Sequence, residues 1–74
     1  MKLLKSIINK EVIIKKINIL DEKYNIRLQE LGLYEGAKIV LLNFSPLKQT
    51  MLVKIFNSVF AIKSDVANLI EVEE

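Results

Sequence analysis

Residues 28–36 read Leu28-Gln29-Glu30-Leu31-Gly32-Leu33-Tyr34-Glu35-Gly36, and this stretch decides how the chain folds. Gly32 follows an amphipathic segment, at a point where a helix end needs a left-handed residue. Only glycine takes that conformation without a steric penalty. Leu33 stands next, where a Schellman motif brings it against Leu28. Gly36 predicts a tight turn with positive φ. The stretch therefore predicts a helix that ends just before Gly32 and a chain that turns back at once.

The segment before Gly32 predicts one helix over residues 22–31. Asp21 is suited to cap its first turn, because an aspartate side chain accepts hydrogen bonds from the free N–H groups there. Glu22 adds a negative charge where the helix dipole is positive. Apolar residues recur at helical spacing and predict one buried face, formed by Leu20, Tyr24, Leu28 and Leu31.

Runs of β-branched and other apolar residues predict five short strands. They cover residues 11–17, 39–42, 51–53, 59–63 and 69–72. Asn57-Ser58 predicts a tight hairpin between the third and fourth strands, because asparagine tolerates positive φ. Ser64 is suited to cap a single helical turn that reaches Ala67 before the last strand.

These elements predict a mostly-β fold and one domain over residues 1–74. Five short strands are too few for a sandwich, but they can close into a small barrel, which removes exposed strand edges. We expect a five-stranded SH3-like barrel with one α-helix between strands 1 and 2 and a short helical turn before the last strand. Apolar residues at helical spacing near the start predict that residues 1–9 form a helical turn packed on the barrel.

The composition argues against several classes of function. The chain has no cysteine and no histidine, so it lacks thiolate ligands, imidazole ligands and the usual general base. Its serines have no partner that could activate them, and Gly32 and Gly36 follow a helix, whereas phosphate-binding loops precede one. Only carboxylates remain as metal ligands. We expect no enzymatic activity, no cofactor and no resident metal, with metal binding left open.

The net charge and the aromatic content also argue against two kinds of partner. A net charge of +2 and few aromatic residues argue against nucleic-acid binding and against a proline-rich peptide groove. No apolar run approaches the roughly 20 residues that a bilayer requires, so direct membrane insertion is not expected. The expected location is the cytoplasm.

Residues 28–36 resemble the signature helix and turn of FeoA domains, in which arginine and leucine precede an E-L-G-L segment and a second glycine closes the turn. The matching positions are Arg27, Leu28, Leu31, Gly32, Leu33 and Gly36. The Pro46-Leu47 loop is similar to the loop between the family's second and third strands. Residues 61–63, with Ala67, Ile70 and Val72, are similar to its closing segment. The chain departs from the family at Glu35, Asn57 and Asn9-Lys10, where proline, glycine and a Pro-Gly pair are common.

The resemblance implies a stand-alone cytosolic accessory protein of bacterial ferrous iron uptake that docks to FeoB, a membrane permease with a cytosolic GTP-binding domain. The same barrel also forms the C-terminal domain of iron-dependent repressors. An SH3-like module of another kind stays open: a self-associating adaptor, or a metal-responsive or nucleic-acid-binding domain.

Strand alternation predicts a partner-binding face. It places one set of apolar residues in the barrel interior, namely Ile39, Leu41, Val53 and Ile55. It leaves a second set on the outer face, namely Val40, Leu42, Phe44, Leu52 and Phe56. We expect Leu42, Phe44, Leu52 and Phe56, with Leu47 at the edge, to bind a partner or a second copy of the chain in a weak homo-oligomer. The alternative is that the terminal segments cover these residues.

Overall fold

The computed structural model describes residues 1–74 and consists of five strands, two helices and a 3₁₀ turn. The elements in chain order are the 3₁₀ turn Leu3–Lys5, β1 Glu11–Ile17, α1 Glu22–Glu30, β2 Lys38–Ser45, β3 Thr50–Ile55, β4 Ser58–Lys63, α2 Ser64–Ala67 and β5 Ile70–Glu73. All neighbouring strands are antiparallel, and their order in the sheet is β4-β3-β2-β1-β5.

The predicted SH3-like fold is confirmed, with one difference at the sheet edges. β4 and β5 stand at the two ends of the strand order, so the curled sheet is not fully closed. The free side of β5 is covered by the start of the chain: the Val72 N–H donates to the Met1 carbonyl at 2.7 Å, and Lys2 bridges to Glu71. The outer edge of β4 has no such cover.

One apolar core lies inside the curl of the sheet. Its members are Leu3, Val12, Ile14, Leu28, Leu33, Ala37, Ile39, Leu41, Met51, Val53, Ile55, Ile62, Ala67, Ile70 and Val72. The predicted inward residues of the second and third strands are all among them. Because every strand, both helices and the 3₁₀ turn contribute to this set, the core joins all the elements into one packed unit.

The end of α1 follows the predicted Schellman pattern. The Leu33 N–H donates to the Leu28 carbonyl at 2.8 Å, and the Gly32 N–H donates to the Gln29 carbonyl at 3.0 Å. Gly32 has φ +97°, and the helix is capped at Leu31. Since Leu28 and Leu33 are both buried, the motif directs the chain from the helix into the core.

The turn after the helix is bonded to the first strand. The Ala37 N–H donates to the Tyr34 carbonyl at 3.0 Å, with Gly36 at φ +91° as the sequence predicts. The Gly36 N–H donates to the Ile14 carbonyl at 2.7 Å, and the Ile14 N–H donates to the Ala37 carbonyl at 2.8 Å. These bonds fix Tyr34 and Glu35 next to the β1–β2 pair.

The predicted buried stripe of α1 is wrong except at one residue. Leu28 is 3% exposed, whereas Leu20 is 98% exposed and both Tyr24 and Leu31 are also exposed. Leu28 and Leu33, which follows Gly32, fill the end of the small barrel, and the rest of the predicted stripe stays exposed. The cap is confirmed, because Asp21 Oδ1 accepts hydrogen bonds from the first turn.

Two turn predictions also need correction. The β3–β4 hairpin turns at Phe56 and Asn57, not at Asn57-Ser58, because Ile55 pairs with Ser58. Phe56 therefore takes the positive φ, +55°. Ser64 does not cap α2 but is its first residue, and its N–H donates to the Gln49 carbonyl at 2.8 Å.

The N-terminal segment is less helical than its apolar spacing predicts. Only Leu3–Lys5 form a helical turn, of the 3₁₀ type, and Leu3 is buried in the core. Ile7 and Ile8 are exposed. The chain then crosses to β2, where the Asn9 N–H donates to the Leu41 carbonyl at 2.7 Å.

Candidate partner-binding surface

The residues predicted to form one docking face do not lie together. A bulge in β2 between Leu41 and Asn43 changes the pairing with β3. After it, Phe44 pairs with Met51, and paired residues point to the same side of a sheet. Because Met51 is in the core, Phe44 lies on the core side, at its partly exposed margin. Its predicted place on the outer face is wrong.

A hydrogen bond lies on each side of the bulge. The Asn43 side-chain oxygen accepts from the Phe44 N–H at 2.9 Å. The Leu41 carbonyl accepts from Asn9, which lies outside the sheet. Leu42 is half-buried inside the bulge, and Leu52 stays on the outer face opposite Asn43.

Leu47 and Phe56 lie at opposite ends of the sheet. Leu47 is 99% exposed in the β2–β3 loop, and Phe56 is 68% exposed in the β3–β4 turn. These two connections are separated by the length of β3, whose 6 residues span about 20 Å at roughly 3.3 Å each. A single small contact cannot include both residues.

Phe56 instead meets Tyr34 at a groove on the outer face, which we call the Tyr34–Phe56 groove. It is open to solvent, with a cavity volume of about 520 Å³. Its lining consists of Glu11, Tyr34, Gly36, Ala37, Lys38, Val40, Lys54 and Phe56. The two aromatic residues come from different connections, one after α1 and one after β3, so the groove exists only in the folded chain.

The floor of the groove follows from the strand register. Glu11 pairs with Val40, and Val40 pairs with Lys54, so the three side chains form a row across β1, β2 and β3 on one face. Their neighbours along each strand, such as Val12 and Val53, are buried in the core. The row therefore faces outward, away from the core.

The aromatic wall at Phe56 is held by Gly32. A Cβ built on Gly32 would lie 3.4 Å from Phe56 Cε2 and 3.6 Å from Phe56 Cδ2. The ring thus lies within van der Waals reach of the place that a side chain at residue 32 would occupy, next to the backbone of the helix-ending glycine. The unusual left-handed backbone of Phe56 directs the ring to this place.

The charges at the groove are unequal. Lys38 Nζ is 3.9 Å from Glu11 Oε1, a long and exposed ion pair. Lys54 forms no ion pair, since the other pair in the structure joins Lys10 and Glu74. Two lysines and one glutamate leave the groove with an excess of one positive charge.

The remaining residues of the FeoA-like motif do not line the groove. Leu28 and Leu33 belong to the core, whereas Arg27 on α1 and Leu31 at its C-cap are exposed. The structure contains no group of three or more histidine, cysteine, aspartate or glutamate side chains placed to hold a metal ion. No helix has the length and apolar character needed to cross a membrane.

Sequence reasoning missed the groove because its residues come from separate parts of the chain. The sequence predicts a tight turn at Gly36 and an outer-face position for Phe56 with Leu52, and neither pattern relates Phe56 to Tyr34. Their proximity depends on where β3 ends and on the β1–β2–β3 register, and neither has a local signal in the sequence.

Comparison with solved structures supports the fold. FeoA from Chlorobium tepidum has a TM-score of 0.87 and 26% identity, with 99% of this chain and 69% of that chain covered. Iron(II) transport protein A from Clostridium thermocellum has a TM-score of 0.85 and 29% identity, covering 99% of this chain. Our chain spans only 44% of the length of that protein. No curated protein matches the chain in sequence.

Stenotrophomonas maltophilia FeoA, solved in complex with zinc and described as a prokaryotic SH3 domain protein, has a TM-score of 0.80 and 21% identity, with 99% of this chain and 89% of that chain covered. This likeness extends to the fold alone. The sequence itself decides the family: the model of the FeoA domain matches residues 1–74, the whole chain. The protein therefore belongs to the FeoA family, which is associated with ferrous iron transport.

Proposed function

We propose that the chain is a non-enzymatic accessory protein of bacterial ferrous iron uptake, which acts in the cytoplasm by docking to a FeoB-type permease. The observation that carries the proposal is the FeoA match over residues 1–74. The S. maltophilia relative is described as a candidate activating factor of ferrous iron transport, which agrees with an accessory role.

The surface supports a role in protein contact. Large apolar side chains are exposed in several places, including Leu31 at the C-cap of α1, Leu47 in the β2–β3 loop and Phe56 in the β3–β4 turn. Apolar side chains exposed singly are normal, so the feature that agrees with a protein contact is the place where exposed Phe56 and Tyr34 line one groove. In this proposal iron is the cargo of the permease, and the chain itself needs no iron ligands.

A binding experiment and an uptake experiment together test the proposal. The purified chain is titrated into purified FeoB-type permease from the same cell, in detergent and with GDP or a GTP analogue. We expect saturable binding in at least one nucleotide state. In the cell, removal of the chain should change uptake of ⁵⁵Fe²⁺ but not of an unrelated cation, and re-expression should restore it.

The proposal also predicts that the chain alone does not hydrolyse GTP. Release of phosphate by the purified chain, abolished by one substitution in it, would overturn the non-enzymatic part. Absence of binding in both nucleotide states, with unchanged iron uptake, would overturn the docking part.

A further inference from the structure

We propose that the Tyr34–Phe56 groove binds a short extended segment of a partner protein in which an apolar side chain lies beside a carboxylate. The inference rests on the proposed function in taking a protein as the ligand. It adds the place of contact and the chemistry of the partner segment.

The shape of the groove suits a few residues of extended chain. Its volume of about 520 Å³ falls within the roughly 300–1,000 Å³ typical of small-ligand sites, and it is open along the outer face of the sheet. The backbone at Gly36 forms part of its lining, and a Cβ built there would meet no atom within 4 Å. A partner backbone can therefore approach this part of the groove closely.

The aromatic walls provide the apolar contact. Tyr34 is 41% exposed, and both it and Phe56 come from backbone that is fixed by turns. Phe56 is 68% exposed and offers apolar area to a partner, and its contact with Gly32 on one side reduces the freedom that binding would remove. Such preorganisation lowers the entropy cost of association. Val40 lies between the walls on the floor and adds apolar surface.

The two lysines of the groove determine which charge the partner segment should carry. Lys54 has no acidic partner, and Lys38 has only the 3.9 Å contact with Glu11. A carboxylate placed next to the apolar side chain would pair with Lys54, and a basic residue there would be repelled. Charge complementarity of this kind contributes specificity and a faster encounter more than affinity.

Defined synthetic peptides test the inference directly. The probe is a fluorescent peptide with one leucine flanked by two aspartates in a serine–glycine background. The matched control peptide has asparagines in place of the aspartates. Amide NMR of the labelled chain should show saturable shifts at Tyr34, Gly36, Val40 and Lys54 with the probe, and weaker binding of the control.

Two lysine variants distinguish binding of the acidic probe at the groove from its non-specific attraction to positive charge elsewhere on the chain. Lys54→Gln should weaken binding of the acidic probe about twofold to fivefold, the range expected for one exposed ion pair. Lys48→Gln removes the same charge from the exposed β2–β3 loop and should leave binding unchanged. Addition of salt should weaken probe binding to the parent and have less effect on the control peptide.

The outcomes distinguish this inference from the proposed function. The groove assignment is wrong if the probe produces no shifts at the groove, or if Lys54→Gln and Lys48→Gln weaken probe binding equally. If the permease still binds the chain in that case, the accessory role stands. If the probe binds at the groove but the permease does not bind the chain, the groove stands and FeoB is not the partner. Equal groove shifts with inorganic phosphate at matched ionic strength would mean a simple anion contact and would overturn the inference.

Discussion

The ring of Phe56 packs on Gly32: a Cβ added to the glycine would lie 3.4 Å from Phe56 Cε2. The same Cβ would lie 3.0 Å from Cγ2 of Ile55, which is buried. The glycine that ends α1 therefore has two functions. It takes the left-handed backbone of the Schellman motif, and it leaves room for the β3–β4 hairpin to approach the helix end.

Gly32→Ala should destabilise the chain more than Gly36→Ala. Both glycines have φ above +90°, so both alanines incur a backbone cost of about 1–2 kcal/mol. Only the alanine at residue 32 also presses on a buried side chain, whereas that at residue 36 meets no atom within 4 Å. Urea unfolding should give losses of about 2 kcal/mol or more for Gly32→Ala and about 1 kcal/mol for Gly36→Ala. Equal losses would show that the contact with Ile55 relaxes freely.

Phe56→Gly should be more stable than Phe56→Ala by about 1 kcal/mol, because residue 56 has φ +55° and only glycine takes that conformation freely. At an ordinary strand position glycine is the less stable of the two. Both variants lack the ring, so the order of their thermal stabilities reports the backbone conformation at residue 56. The reverse order would mean that Phe56 adopts negative φ in solution.

The two ends of α1 could be predicted from the sequence, but its packing could not. Capping depends on residues within one turn of each other, so Asp21 and Gly32 have local signals. Burial of the helix face depends on what the rest of the chain places against it. Helical spacing alone could not show that the end of a small barrel holds Leu28 and Leu33 and leaves Leu20 without a neighbour.

The candidate site was harder to predict than the fold. Alternation correctly assigned Ile39 and Leu41 to the interior, because a regular strand has a period of two. The bulge after Leu41 ends that period, and beside it the Leu41 carbonyl accepts a hydrogen bond from Asn9, which lies far away in the sequence. The face of Phe44 therefore could not be inferred from its position in the strand.

Leu28→Ala and Leu20→Ala should distinguish the buried stripe that the sequence predicts for the helix from the structure, in which only Leu28 of that stripe is buried. Truncation of a buried leucine costs about 2–5 kcal/mol, so Leu28→Ala should lower the unfolding free energy strongly. Leu20, which is 98% exposed, should give a change within about 0.5 kcal/mol. Chemical denaturation of both variants measures the difference. Similar large losses of unfolding free energy in both variants would mean that Leu20 is also buried, as the sequence predicts.

Weak self-association, where it occurs, should depend on the β2–β3 hairpin. Leu47 at its tip and Leu52 on its outer face are exposed, whereas Phe44 lies on the core side. The double variant Leu47→Ser with Leu52→Ser should reduce dimerisation and leave the far-ultraviolet circular dichroism unchanged. Sedimentation at high protein concentration measures the effect. A parent chain that is strictly monomeric under these conditions would rule out the homo-oligomer.

Glu71 should titrate at a lower pH than an ordinary glutamate. The Asn18 side-chain amide donates to Glu71 Oε2 at 2.9 Å and is the main cause of the lowered pKa of Glu71. The positive charges of Lys2, Lys16 and the N-terminus act in the same direction, and partial desolvation opposes them. Because the folded pKa lies below the unfolded pKa, the bond stabilises the fold above the unfolded pKa. This contribution is lost as the pH falls through the folded pKa.

Asn18→Ala should therefore raise the pKa of Glu71 toward the ordinary glutamate value and should remove part of the stability above the unfolded pKa. Carboxyl carbon NMR across a pH titration follows the group directly. Lys16→Gln serves as the control, because it removes a neighbouring charge and keeps the amide. High salt should reduce the effect of that control by screening, and it should leave most of the Asn18 effect, since a direct hydrogen bond is screened less than a separated charge. An unchanged Glu71 titration in Asn18→Ala would mean that the contact does not persist in solution, and that the end of β1 is joined to β5 at this point by backbone bonds alone.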